Sequence, residues 1–582
     1  MIRSVTATLL IAALGSVVFA QTPKRQTANP PATPAKPSSS NPTDAQADAY
    51  YNFAMGRLYA EMAGEQSSRE MANRAVKYYE QALKDAPNVP IIADELTDLY
   101  VGLRRLQDAV ALGEDLLKKD PDNLNARRIL GKVYVKMAQS GRGDDDAVQK
   151  AIEQYQKITQ KEPSDVDSWT TLGDLYRATN NSAEAEKAYK AGLAADPGNA
   201  DALRSLAKLY MDNGDTKNAL EKLQAAADKD PSEEVLFDLG VAYAQSGKHQ
   251  EAIDALQKVM EAAPDNERTA RLLAGEYTRV VPPRLDDARK LYERLEAADR
   301  RESTYPLALS EIYRDQKNLP KAREAADRAK KLAPDDLDVR LNDASLLFAE
   351  GKPDDATLVL KGVVEDANRA PSTDDKRGEK LAYLQQVAAI YETNKRWSDA
   401  AQTLDVAEKA SVTDIEKAKI CFARGDMLER QKQHEAAEKE FRKVLQLNPK
   451  DAEAMNYLGY MLADRNVKLD EASQLVKKAL DMVPDNGAFL DSLGWIYYRQ
   501  GKYSEAQGLL ERALTQTPDP TIHDHLGDVL SKQGKTKEAV SEWQAALKLA
   551  KQPGQADVDE EEMARVSKKL DEAEAKLAKE GH

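Results

Sequence analysis

The sequence predicts an all-α fold, a solenoid of about 14 stacked helix-turn-helix repeats. Three observations lead there. The stretch VDSWTTLGDLYRATNNSAEAEKAYKAGLAADP, from Val166 to Pro197, places Trp169, Leu172, Gly173 and Tyr176 at helical spacing, breaks at Asn180-Asn181, and resumes with Ala185, Tyr189 and Gly192 before Asp196-Pro197. An Ala and a Pro recur together at one fixed offset along the chain. The 582 residues are 42% hydrophobic and 31% charged, with only 7 Phe, a balance that suits thin helical layers better than one thick core.

Neither helix of such a unit can bury its apolar stripe alone, so Gly173, Ala185 and Gly192 are expected where a neighbouring helix comes close. This pattern resembles the tetratricopeptide repeat, a helix-turn-helix unit of about 34 residues. The resemblance implies a right-handed superhelix held by nearest-neighbour interfaces. Its concave surface would hold other molecules.

The prolines that close the second helices set the register: Pro87, Pro121, Pro163, Pro197, Pro231 and Pro264, at steps of 34, 42, 34, 34 and 33 residues. GRGDDD, Gly141 to Asp146, supplies the longer step as a loop. Twelve residues before each proline stand Ala75, Ala109, Ala151, Ala185, Ala219 and Ala252. Around VVPP, Val280 to Pro283, one unit is distorted, though Tyr277, Ala288 and Tyr292 keep its outline. Register returns with Tyr313, Ala322 and Pro334, then with Leu347, Ala356 and Leu360. The C-terminal half carries Tyr391 and Ala400; Gly425, Ala437, Phe441 and Pro449; Gly459, Ala472 and Pro484; Gly494, Ala506 and Pro518; and Gly527, Ala539 and Trp543.

The expected organisation is a signal peptide over 1–20, a Pro/Ser/Thr-rich disordered linker over 21–43 and a first repeat array over 44–367. A loop or hinge follows over 368–380, then a second array over 381–552 and a charged, solvent-facing capping helix over 553–582. Arg3, the apolar run from Leu9 to Phe19 and Val18-Phe19-Ala20 before Gln21 have the form of a secretory signal. They lead to an exported protein, periplasmic or extracellular, with no stable membrane insertion after cleavage. The linker holds Pro23, Pro30, Pro31, Pro34, Pro37 and Pro42 and no large apolar residue, so it cannot offset its ordering entropy.

A net charge of −15 speaks against a general nucleic-acid binder, which needs Lys and Arg to neutralise phosphates. Cys421, the one cysteine, rules out an intramolecular disulfide and any multi-cysteine metal site, and it reads as a small core residue. No cofactor is expected. Gly141 to Gly143 precede three aspartates where a phosphate loop needs Lys and Ser or Thr. His523, Asp524, His525 and Asp528 are metal-ligand types, but on a helix His523 and His525 point to different faces. No nucleophile, base and orienting group can be assembled, so no enzyme is expected.

Function is sought in three consecutive repeats containing NYLGYMLADR (Asn456 to Arg465), LDSLGWIYYRQGKYSEA (Leu490 to Ala506) and PTIHDHLGDVLSKQGKTKEA (Pro520 to Ala539). Over Asp451 to Ala546 they resemble a group of exported bacterial repeat proteins that includes lipoprotein adaptors of periplasmic carboxyl-terminal processing proteases. Those adaptors carry a lipidated cysteine after the signal, where this chain has Gln21. In each first helix, the residues three before and one after the Gly share one side, expected to line the concave groove. They are Asn456 and Tyr460, Asp491 and Trp495, and Asp524 and Asp528, with Phe422 and Asp426 one repeat earlier. Tyr498 and Arg499 follow one turn on. Such a line of amide, carboxylate and aromatic groups suits a peptide segment or helix of a partner protein. The competing expectation is that Trp495 and Tyr460 fill gaps between repeats while the carboxylates are solvated. A second functional reading is a glycan- or peptidoglycan-associated assembly factor whose aromatic faces stack on sugar rings.

Overall fold

The computed structural model describes residues 42–87, 89–140, 146–369, 374–551 and 560–580. The segments expected as signal peptide and, up to residue 41, as linker, and residues 141–145, lie outside these. Two compact units divide between Val259 and Met260. The first contains α1 (Pro42–Gln66), α2 (Arg69–Asp85), α3 (Pro90–Gly102), α4 (Leu106–Lys119), α5 (Leu124–Gln139) and α6 (Ala147–Lys161). It continues with α7 (Val166–Ala178), α8 (Ser182–Ala195), α9 (Ala200–Asp212), α10 (Thr216–Lys229), α11 (Glu233–Gln245) and most of α12 (His249–Ala262).

The second unit begins with α13 (Glu267–Arg279), α14 (Leu285–Ala298), α15 (Thr304–Asp315), α16 (Leu319–Leu332), α17 (Leu337–Ala349), α18 (Pro353–Arg369), α19 (Asp374–Thr393) and α20 (Trp397–Ala410). There follow α21 (Asp414–Arg430), α22 (His434–Leu447), α23 (Ala452–Asp464), α24 (Leu469–Met482), α25 (Gly487–Arg499), α26 (Tyr503–Gln516), α27 (Pro520–Lys532), α28 (Thr536–Ala550) and α29 (Glu560–Glu580). No strand occurs among the described residues. The fold class is therefore the all-α tetratricopeptide-repeat solenoid, with 14 helix pairs and a final helix. Of the loop expected over 368–380, residues 370–373 lie outside the described residues, while 368 and 369 end α18 and 374–380 begin α19.

The register alanines explain why the pairs close. All 14, from Ala75 through Ala185 and Ala506 to Ala539, have no solvent exposure. At each a larger side chain would push apart helices that pack on one another. Glycines of the first helices do the complementary job. A Cβ on Gly173 would come within 2.4 Å of the Tyr189 ring, and one on Gly459 within 2.5 Å of Val476 Cγ2. The second helix thus seats a large residue directly over the first helix's backbone.

Helix ends are set locally. Asp451, Asn486 and Asp519 cap α23, α25 and α27 by accepting from the backbone N–H of Ala454 (2.9 Å), Phe489 (3.1 Å) and Thr521 (2.7 Å). Pro449, Pro484 and Pro518 each fall two residues past the end of a second helix, where the chain cannot continue helically. Gly501 and Gly534, at φ +76° and +79°, make the tight turns into α26 and α28. Cys421 is fully buried beside Ala418, Val444 and Ala454, and burial pushes its thiol pKa up.

Candidate functional site

The three first helices of the C-terminal block lie side by side, α23 against α25 and α25 against α27. Asn456, Asp491, Trp495 and Asp524 are each at least nine-tenths buried, whereas Tyr460, Tyr498, Arg499 and Asp528 are partly buried. The expected residues therefore do come together. They form one face, part of it filled by their own packing.

Its centre is a stack of rings. Trp495 lies between Tyr498, at 4.8 Å between centroids and 15° between planes, and His525, at 4.2 Å and 17°. Tyr460 approaches His525 from α23 at 6.3 Å. His525 Nδ1 donates to Asp491 Oδ1 (2.8 Å), which fixes the ring's orientation and joins α27 to α25. Burial would lower the pKa of His525, but the charge of Asp491 and its hydrogen bond, with Asp524 and Asp528 beyond, outweigh burial and raise it. Burial also raises the phenol of Tyr460, helped by Asp491, and pushes that of Tyr498 up to about 12.

The aromatic half of the gap-filling expectation holds. Its acidic half does not, since Asp491 and Asp524 are buried and paired. Arg499 stays on this face: its guanidinium lies over the Trp495 ring, 5.7 Å from the centroid, and donates to the Asp464 carbonyl at the end of α23 (2.9 Å). That carbonyl is one of the acceptors a helix C-terminus leaves unmade. Phe422 packs edge-on against Phe441 and Tyr457, and Asp426 accepts from Arg430 (3.0 Å).

A residue that the sequence reading passed over completes the cluster. Lys569, on α29, donates to both oxygens of Asp524 (2.9 and 2.8 Å) and to Asp528 (2.8 Å). Burial would lower the lysine pKa, but the two carboxylates outweigh it and raise it. Asp528 is raised by burial and by the charge of Asp524, with Lys569 opposing. Glu562, seven residues earlier and about 10 Å back along the helix, lies within electrostatic range of Tyr460 on α23. The final helix covers the last apolar layer, with Val566 and Ala573 buried and Met563 and Leu570 packed with them against the α26 to α28 core. The spacing of those four apolar residues was the available signal.

Two polar atoms on this face have no hydrogen-bond partner among the described residues, Asn456 Oδ1 and Trp495 Nε1. His523 goes elsewhere, placing its Nδ1 2.7 Å from Glu542. Among the described residues no group of three or more His, Cys, Asp or Glu is placed to hold a metal ion.

Comparison with known proteins supports the repeat assignment. A tetratricopeptide-repeat profile matches residues 204–267, 284–336 and 422–487, and a second matches 144–209 and 467–529. The chain carries tetratricopeptide repeats, a class that binds other proteins. It is 35% identical over 175 residues to a TPR repeat-containing protein of Pseudomonas aeruginosa, covering 29% of each chain. Cellulose synthase operon protein C of Pseudomonas fluorescens is 25% identical over 461 residues, which is 75% of this chain and 34% of that protein. The chain thus spans about a third of the length of these relatives. Among solved structures, yeast Tom70 aligns with a TM-score of 0.41 at 14% identity, covering 78% of this chain and 96% of its own.

Proposed function

We propose that this chain is an exported, non-enzymatic scaffold or adaptor whose α23, α25 and α27 face holds a peptide segment or helix of a partner protein. The observation that carries this reading is that the face already receives a helix, α29, through Lys569. Aromatic anchors and paired carboxylates are the chemistry such a ligand uses. A role in cell-envelope protein processing or complex assembly follows from the resemblance of 451–546 to protease adaptors. Export follows from the leader-like first 20 residues; N-terminal sequencing of the mature chain tests it, with Gln21 expected first. The glycan reading is weaker, because both faces of the Trp495 ring are covered by Tyr498 and His525.

The test places a photo-crosslinking residue at Tyr498 in living cells, in the otherwise unchanged chain and in Val566→Asp, which unseats α29. A second protein should be captured, and Asp524→Asn with Asp528→Asn should abolish its capture. Crosslinks confined to the chain itself in both backgrounds would sink the reading.

A further inference from the structure

The seated helix says what kind of ligand the face accepts. Asp524 and Asp528 are one turn apart on α27, so their carboxylates repel unless a cation sits between them. Asp491 is already matched by His525. Lys569 supplies the needed cation, and it stands among Met563, Val566, Leu570 and Ala573, at spacings of 3, 4 and 3 residues along α29. The lysine remains 32% exposed while Asp524 and Asp528 are only 8% and 14% exposed. The acids belong to the fixed framework, and the base arrives from the edge. Asn456 Oδ1 and Trp495 Nε1 are buried with no hydrogen-bond partner among the described residues, α29 included.

We propose that α29 is an internal stand-in for the true ligand, and that the partner is an amphipathic helix carrying a lysine beside an apolar stripe of the same spacing, which displaces α29 from the Asp524–Asp528 pair. The proposal rests on reading this face as a partner-binding surface. Charge complementarity selects the occupant: a carboxylate in place of the lysine would put three like charges together. A tethered occupant lowers the apparent affinity of the incoming helix by the fraction of time the face is vacant. The fold thereby sets a threshold that only a better-matched helix passes.

The experiment titrates a fluorescent peptide of residues 560–580 into the full chain and into full-length V566D. Binding to V566D should be tighter by about tenfold or more. A peptide with Lys569→Glu should not bind, and adding Asp524→Asn and Asp528→Asn to V566D should remove the gain. Equal binding to both proteins, or indifference to Lys569→Glu, overturns the proposal. Should V566D fail to fold, amide hydrogen exchange on the unaltered chain decides: α29 is expected to exchange faster than α27, and equal protection overturns the idea. A partner captured equally from Tyr498 with and without V566D removes this inference and leaves the partner-binding reading standing. Absence of any captured protein in both backgrounds removes the partner-binding reading and this inference with it, whatever the peptide does.

Discussion

His525 on α27 donates from Nδ1 to Asp491 on α25 at 2.8 Å, and both side chains are at least nine-tenths buried. One inter-repeat interface therefore holds a buried polar pair inside an aromatic stack. Removing one member strands the other without water to replace it. Asp491→Ala should cost about 3 kcal/mol or more, and His525→Ala a similar amount. The double variant should cost clearly less than the sum, giving a coupling of at least about 1 kcal/mol in urea unfolding followed by tryptophan fluorescence. Additive losses would show that the pair contributes packing alone.

The same pair makes stability depend on pH. Because Asp491 raises the folded-state pKa of His525 above the ordinary value of about 6.5, its stabilisation is complete below that value and is lost as pH rises through the folded pKa. Urea midpoints of the intact protein should fall across that window, and His525→Gln should flatten the fall. A slope unchanged by the substitution would assign it to another group.

The fold was legible because its rule is local and repeated. An alanine at a fixed distance before a proline, present in ten of the repeats, needs no knowledge of distant contacts, and the register alanines of all 14 helix pairs proved buried. The face itself was legible only in part. Asn456, Asp491, Trp495 and Asp524 were found from their offset to the helix glycines, since that offset fixes a side of the helix. Their burial was not, because it depends on three helices and α29 meeting in space. Lys569 lies 45 residues from Asp524 in a run of charges that reads as a solvated face. Arg499 lies on the Trp495 side as its position one turn on predicts, while its bond back to the previous repeat depends on the neighbouring helix.

Two glycine substitutions should act in opposite directions. Gly508, inside α26, has nothing within 4 Å of an added Cβ, so Gly508→Ala should stabilise by about 0.5–1 kcal/mol through helix propensity. At Gly459 the new methyl would meet Val476 Cγ2 at 2.5 Å and the Ala472 carbonyl oxygen at 3.1 Å, and backbone cannot yield as a side chain can. Gly459→Ala should cost about 1–3 kcal/mol. Thermal melts of the two variants beside the parent chain check the signs, and stabilisation at Gly459 would mean that α23 and α24 sit farther apart than described.

Upstream of the cluster, Glu392 on α19 extends the acidic character of the unit. Burial, reinforced by the charge of Asp426 and opposed by Arg430, pushes its pKa up to about 7. A carboxyl raised in the folded state above its ordinary value of about 4.3 penalises folding once it ionises. Its cost is absent at low pH, grows between about 4.3 and about 7, and is complete above that window. Glu392→Gln, which keeps the shape and removes the charge, should therefore change little near pH 4. Near pH 8.5 it should stabilise the second unit by about 1–2 kcal/mol, after discounting for partial exposure. Unfolding midpoints at the two pH values measure this directly. An equal effect at both would show that Glu392 carries its charge in the folded protein without penalty.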